Sequence, residues 1–441
     1  MTATQNLISP QVITDHIIAS FINSNALIMA VDRQYDDTYA NSGVTISGKI
    51  GPYLRVRKEN RFQTSDAVTF TASPMQEDYV IMQVSTLTSV FTTITDVDRA
   101  LTIDEFDRRI CEPAGRSIAA ALAGKIAARY YEIPNATGTP ATLPNSLATA
   151  QAFIMDAKTK LAKFATPPGE RRFVVGEDTE SALVGNMLAL FNPQPKISEM
   201  FTAGEMGHTM GFDFSWDQAI ARHTAGTRTI GVDGGTAFEV NGNNQNLDYS
   251  NGIDTWVPGV TAYTQTLSVI HSGGAAGSGQ TFKKGDVFTL PCAASPASAV
   301  YGVNPLSYQS NGALQQFTIL ANATADAYGV ASLSIYPPII IAGIKQTVTA
   351  APISGQCLVF SQAASSVSIQ NLAFKPESIA LVTADLVIPG GVDMASRRQD
   401  SGISMRLVRQ YDSASNNLNT RIEVLHTEKV LVPEQMVRAQ C

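Results

Sequence analysis

One stretch in the second half of the chain, residues 237–361, carries far fewer charges than the rest of the sequence. It holds eight charged side chains in 125 residues, whereas the other 316 residues hold 61. Within it, β-type runs separated by turn residues occur at 262–271, 286–290, 316–320, 331–336 and 356–360. Such a step in composition marks a module with its own surface chemistry, and the runs predict a small all-β sandwich or barrel.

Helical periodicity characterises the sequence before this module. Apolar residues recur at helical spacing in 7–30, 102–131 and 146–164. The second segment opens with Thr102 and Glu105 at capping-box spacing. These segments predict three helices, so we expect an α+β protein.

Two further regions read as extended chain. Residues 43–70 resemble a long hairpin with little apolar surface, and 403–411 and 420–427 predict two strands joined by a polar turn. An isolated two-stranded ribbon is only marginally stable in water. We therefore expect the hairpin to lie on another part of this chain or on a neighbouring copy.

Charge and apolar content exclude several classes of protein. Charged residues make up 16% of the 441 residues and the net charge is -7, against about 25% charged residues in ordinary soluble proteins. A net negative chain is poorly suited to coating or condensing nucleic acid. The longest apolar runs, such as 339–344, are far shorter than the ~18 residues that a membrane-spanning helix needs, so we expect no membrane partner.

The sequence lacks the usual motifs of catalytic, metal-binding and phosphate-binding sites. The four cysteines form no C-x-x-C pair, and the five histidines never have the spacing of metal ligands. Residues 274–281 have the glycine spacing of a phosphate loop, but Gln280 stands where lysine is needed, which favours a plain loop. We expect no catalytic site, no cofactor and no metal. An enzyme would need a pocket around groups such as His208, Asp213 and Asp217.

Charge placement suggests a contact between copies of the chain. Residues 48–62 hold five basic side chains and one acid, whereas 96–112 hold six acids and three bases. Both stretches can be solvated surfaces, with acids placed at a helix start to suit its dipole. The alternative is a complementary contact between two copies. Its residues would be Arg55, Arg57, Lys58 and Arg61 of one copy and Asp104, Glu105 and Asp107 of another.

Several motifs resemble coat proteins of tailed bacteriophages, and their order agrees as well. The matching runs are 211–219, 282–290, 301–305, 314–317, 371–382, 408–412, 420–425 and 432–434. The similarity is greatest to the short-tailed Salmonella phages, whose coat proteins have the Hong Kong 97 capsid fold with an inserted β domain.

The resemblance implies five parts of the fold. They are an N-terminal arm at 1–40, an extended loop at 41–82, a peripheral domain with a long spine helix at 83–137 and 396–441, an axial domain at 138–236 and 362–395, and an inserted barrel-like β domain at 237–361.

The resemblance also implies a function. Such a protein self-assembles into hexamers and pentamers of an icosahedral shell, with a scaffolding protein and a portal as partners during assembly in the host cytoplasm. The shell encloses double-stranded DNA without sequence-specific binding. Since the sequence begins at Met1, we expect that no N-terminal scaffold-like segment has been cleaved away and that no maturation protease is required. We also expect no covalent link between subunits.

The low charge of the chain fits this interpretation. Each copy in a shell touches several neighbours through large, weakly charged surfaces, and many modest contacts of this kind add through multivalency. A different class remains open, namely a β-rich tail, fibre or decoration protein whose neutral module binds a host receptor or glycan. That class predicts a trimer or small ring rather than a closed shell.

Overall fold

A computed structural model of the chain describes residues 10–22, 25–33, 53–62, 79–95, 112–187, 207–229, 237–247, 265–292 and 298–441. Its helices are α1 (Pro10–Ile22), α2 (Ala26–Ala30), α3 (Glu112–Ala127), α4 (Leu147–Lys163) and α5 (Glu177–Met187).

The strands up to the charge-poor module are β1 (Tyr53–Arg57), β2 (Tyr79–Gln83), β3 (Thr86–Thr95), β4 (Ala136–Gly138), β5 (Arg172–Val175), β6 (His208–Thr209), β7 (Phe212–Trp216) and β8 (Arg222–Thr224). Those within it are β9 (Phe238–Val240), β10 (Gln265–His271), β11 (Thr281–Phe282), β12 (Val287–Thr289), β13 (Tyr301–Val303), β14 (Ser310–Leu314), β15 (Gln316–Ile319), β16 (Ala323–Thr324), β17 (Val330–Tyr336) and β18 (Val359–Phe360). Those after it are β19 (Val367–Phe374), β20 (Ile379–Ala384), β21 (Met394–Asp400), β22 (Ile403–Asp412), β23 (Asn417–Val430) and β24 (Met436–Gln440). The predicted α+β class is confirmed.

The helices follow the predicted periodicity, with differences at their ends. Helix α4 matches its predicted segment because Ser146 caps it: the Ser146 hydroxyl accepts from the Thr149 amide at 3.2 Å, and the Thr149 hydroxyl accepts from the Ser146 amide at 3.0 Å. The single helix predicted at 7–30 is α1 and α2 instead, because Asn25 is extended before α2. Helix α3 lies within the predicted segment 102–131, whose capping residues are outside the described part.

The described residues divide into two compact units. The first draws on Met1–Leu54, Met82–Ile126 and Ile379–Lys429, and the second on Arg55–Ile81, Ala127–Ser378 and Val430–Cys441. Val430–Cys441 joins the second unit because β24 pairs with β19 and with β4.

The first unit is built on a five-stranded sheet with the order β20-β23-β22-β21. Strand β3 pairs with β23 on the side opposite β22, since both neighbours pair with residues 417–423. Helix α1 packs on β21, where Asp15 contacts Arg398 at 2.6 Å. The strand pair predicted at 403–411 and 420–427 is confirmed as β22 and β23.

The second unit contains a seven-stranded sheet and a barrel. The seven-stranded sheet has the order β4-β24-β19-β5-β7-β6, with β8 on β19. The barrel sheet has the order β18-β12-β15-β17-β10-β9, and each of the five runs predicted in the charge-poor stretch supplies one of its strands. Backbone bonds from β9 to 355–358, such as the Leu358 amide to the Phe238 carbonyl at 2.8 Å, close the sheet on itself.

A buried ionic cluster around Asp286 joins the barrel to the seven-stranded sheet. Asp286 precedes β12 and is 1% exposed. Its carboxylate lies 2.9 Å from Nε2 of His223 on β8 and 3.2 Å from Nη1 of Arg228, and it accepts from the Lys283 amide at 2.9 Å. Since Arg228 and His223 are also buried, the cluster neutralises charge that water cannot reach.

A second buried arginine, Arg438, also joins the seven-stranded sheet to the barrel. Arg438 on β24 is fully buried and donates to the Gly285 carbonyl at 2.7 Å and to the Thr318 hydroxyl at 3.1 Å. Burial lowers the pKa of Arg438 to about 10, so the side chain remains a cation at neutral pH. The backbones also approach closely, because a Cβ on Gly226 would lie 2.1 Å from the Thr281 carbonyl oxygen.

We expect Asp286→Asn to destabilise the second unit strongly. The change keeps the shape of the side chain but leaves Arg228 without its buried counter-charge, and breaking a buried pair in this way costs about 3–5 kcal/mol. Urea unfolding measures the loss. The matched control is Asp326→Asn in an exposed turn, where the amide oxygen can still accept from the Tyr328 and Val330 amides. Equal stability of the two variants would contradict the role of the cluster.

Candidate assembly site

The basic stretch identified in the sequence includes strand β1, which pairs with β2 in a two-stranded sheet. The partner strand Tyr79–Gln83 lies beyond the hairpin predicted at 43–70. In β2, Val80 and Met82 are buried while Gln83 is exposed, which is the alternation of a strand with one buried face. This strand was not predicted from the sequence. Of the predicted hairpin, only residues 53–62 are described.

The basic side chains at the end of β1 have different surroundings. Arg57 is exposed, whereas Lys58 and Arg61 are half-buried. Arg61 Nη2 lies 3.9 Å from Oε1 of Glu434. The same Glu434 oxygen accepts a hydrogen bond from the Tyr336 hydroxyl at 2.6 Å. An acid of the same chain therefore faces part of the predicted basic surface.

The cations determine the ionisation of this acid. Burial by itself would raise the pKa of Glu434, but Lys58, Arg61 and the Tyr336 hydrogen bond outweigh it, and the pKa lies below the ordinary glutamate value. Burial and the nearby Glu434 carboxylate raise the pKa of Tyr336 well above its ordinary value. Glu434 is thus an anion and Tyr336 a neutral donor at neutral pH, which anchors the segment after β1.

The predicted contact between copies is only partly within the described residues. Arg57, Lys58 and Arg61 are described, and Arg55 lies in β1 without a described side chain. Asp104, Glu105 and Asp107 lie outside the described residues. The pairing of these two groups stays a prediction.

The residues named for a possible enzyme do not all meet. Nδ1 of His208 and Oδ1 of Asp213 lie 2.6 Å apart on β6 and β7, but their side chains are 63% and 55% exposed. Asp217 is buried, and its carboxylate accepts from the Ala219 amide at 2.8 Å. The His208–Asp213 pair is therefore a solvated surface pair, and Asp217 has a structural role in a turn.

Two features of the described residues, one in each unit, were not identified from the sequence. Glu434 and Tyr336 come from distant parts of the chain, and their contact was not predicted. The run 432–434 was identified only as part of a family motif. Strand β3 was not predicted, although its sequence TLTSVFTTIT has the β-branched and aromatic residues typical of a strand. Leu87 and Phe91 on this strand are 41% and 63% exposed.

Among the residues that the structure describes, no three His, Cys, Asp or Glu side chains gather where they could hold a metal ion. No helix in that part of the chain has the length and apolar character to cross a membrane.

Comparison with known proteins gives one match over nearly the whole chain. Residues 2–440 match the family model described as P22 coat protein, gene protein 5. No curated protein sequence matches the chain.

Solved structures give weaker likenesses. A structure from Mycobacterium phage Che8 has 11% identity and a TM-score of 0.45, covering 94% of this chain and 90% of its own. The capsid structure of the cyanophage P-SCSP1u has 9% identity and a TM-score of 0.40, covering 89% and 84%. A virus-like particle from Pyrococcus furiosus has 8% identity and a TM-score of 0.38, covering 96% of both chains. The family match, rather than these likenesses, carries the assignment.

We expect the contribution of Glu434 to stability to depend on pH. Because its pKa is lowered in the folded protein, the ionised form stabilises the fold at neutral pH, and this stabilisation is lost as the pH falls through the lowered pKa. Glu434→Gln should therefore unfold at lower urea concentration than wild type at pH 7, and the difference should shrink in acid. The exposed Glu377→Gln serves as the control. A difference that grows in acid would contradict the assignment.

Proposed function

Because the chain belongs to the P22 coat protein family, it is a major capsid protein of a tailed bacteriophage, and we propose that its copies form hexamers and pentamers around a scaffolding protein and a portal. The observation that carries this conclusion is the family match over residues 2–440. The protein is a structural subunit of an icosahedral capsid and assembles with copies of itself.

We assign roles to the two units on this basis. The first unit, with α3 and the five-stranded sheet, serves as the peripheral domain with the spine helix and the N-terminal arm. The seven-stranded sheet of the second unit serves as the axial domain, and the barrel within 237–361 is the inserted domain. The five-part division stays a prediction, and within this proposal residues 430–441 belong to the axial domain, because β24 pairs with β19 and β4.

The same proposal covers the remaining partners. The role is structural rather than catalytic, because the family to which the chain belongs is one of coat proteins. The net charge of -7 supports enclosure of double-stranded DNA without tight or sequence-specific binding, because a net negative wall repels the phosphates of the DNA. The mature protein resides in the virion, and assembly takes place in the host cytoplasm.

The test is the size of what the purified protein forms with and without its scaffolding partner. Sedimentation and negative-stain imaging should show closed shells hundreds of ångströms across. A stable trimer or small ring under both conditions would instead favour a tail, fibre or decoration protein.

The basic stretch provides a more specific prediction for assembly. Reversing Arg55 and Arg57 to Glu should prevent shell formation while the subunit stays folded, because it replaces attraction to the acidic stretch 96–112 of a neighbour with repulsion. Particle yield on a sucrose gradient measures assembly, and circular dichroism monitors folding.

The matched control is reversal of Arg222, which is exposed and lies on β8. Changing Asp104 and Glu105 to Lys in the Arg55→Glu/Arg57→Glu background should restore shells. Normal shells from the first variant would refute the pairing.

A further inference from the structure

Strand β3 has an open edge in the part of the chain that the structure describes. It pairs with β23 through residues 86–95, and no second strand lies beside it there. The strand has ten residues and none is charged, a glycine or a proline. A long, uncharged edge strand is a template for pairing with another chain. Soluble proteins ordinarily protect such edges.

The other edges of the large sheets are protected. In the seven-stranded sheet, the edge strands β4 and β6 have three and two residues. The edges of the barrel sheet are joined through the bonds between β9 and 355–358. Strand β3 is therefore the only long edge strand that lacks such protection among the described residues of these sheets.

Within the five-stranded sheet, the strands β21 and β20 are protected in ways that β3 is not. Strand β21, at the opposite edge, carries Arg397, Arg398 and Asp400, and helix α1 packs on it. On β20, the outer backbone is engaged by Asp32, whose amide donates to the Ile379 carbonyl at 3.0 Å. Charge and backbone bonds are common ways to block edge pairing. Strand β3 carries no charge, and among the described residues no backbone bond from outside β23 engages its edge.

One face of β3 is exposed and available for contact with another molecule. Leu87, Ser89, Phe91 and Thr93 alternate along the strand and are all exposed. The opposite face is held in place, because Lys125 of α3 donates to the Thr88 hydroxyl at 2.6 Å and His426 of β23 lies 2.9 Å from that hydroxyl. The strand therefore presents apolar side chains from a fixed backbone.

We propose that β3 pairs with β3 of a second copy of this chain, antiparallel across a two-fold axis. This inference rests on the proposed function, because a capsid supplies many copies and an icosahedral shell contains two-fold axes. Pairing of identical strands is self-complementary. Since β3 carries no charge, no like charges oppose each other in such a pair. The basic strand β1 is not suited to pairing with its own copy, because the positive charges of Arg55 and Arg57 in one copy would repel those in the other.

Like charges on β3 test the pairing. Ser89→Lys/Phe91→Lys should abolish closed shells, and so should Ser89→Glu/Phe91→Glu, while each subunit keeps its circular dichroism spectrum. Mixing the two variants should restore shells, because lysine then opposes glutamate. The control Val367→Lys changes an exposed residue on β19 and should assemble normally.

A disulfide test gives an independent readout. Ser89→Cys and Phe91→Cys shells, oxidised mildly, should yield covalent dimers on non-reducing gels, whereas Val367→Cys shells should not. Normal shells from the lysine variant, or no dimers from either cysteine variant, would overturn the pairing and leave the coat function standing.

Two further outcomes are also decisive. If each charge variant fails alone and mixing does not rescue assembly, β3 binds a different partner or another part of its own chain, and the proposal is wrong. If wild-type protein forms no shells with its scaffolding partner, the proposed function itself fails.

Discussion

Burial of the Asp286 carboxylate constrains the whole second unit. An ion without solvent needs counter-charges and hydrogen bonds from its surroundings, and these come from Arg228, His223 and the Lys283 amide. Because His223 belongs to β8 on the seven-stranded sheet and Asp286 to the barrel, the requirement fixes one element against the other. Arg438 reinforces this from β24 through Gly285 and Thr318.

This junction explains how a module with a neutral surface can be attached firmly to a sheet. The barrel has its own core, in which Phe238, Phe282, Phe288, Phe317 and Phe360 are buried. One of its few charges, Asp286, is buried at the junction with the seven-stranded sheet and is not on the barrel surface. Apolar packing would hold the module in place less specifically than a set of directional bonds. We therefore regard the junction as the feature that makes the barrel and the sheet a single unit.

The treatment of sheet edges connects the fold with assembly. The barrel removes its edges by closure, and the seven-stranded sheet ends in strands of three and two residues. In the five-stranded sheet, one edge is charged and covered, whereas β3 is neutral and open among the described residues. A monomeric protein with such an edge would tend to aggregate. A shell subunit can use the same property, because its neighbours are copies in a defined geometry.

The sequence by itself determined the features that depend on local pattern. The scarcity of charge in 237–361 identified the β module, the apolar spacing in 146–164 predicted α4, and the runs 403–411 and 420–427 predicted β22 and β23. Only the tertiary structure decided which distant residues meet: Asp286 with His223 and Arg228, Glu434 with Tyr336 and Arg61, and β9 with 355–358. The reason is physical. Periodicity and capping act over one or two turns of chain, whereas these contacts depend on the path of the backbone over tens to hundreds of residues, for which local side-chain preferences carry no signal.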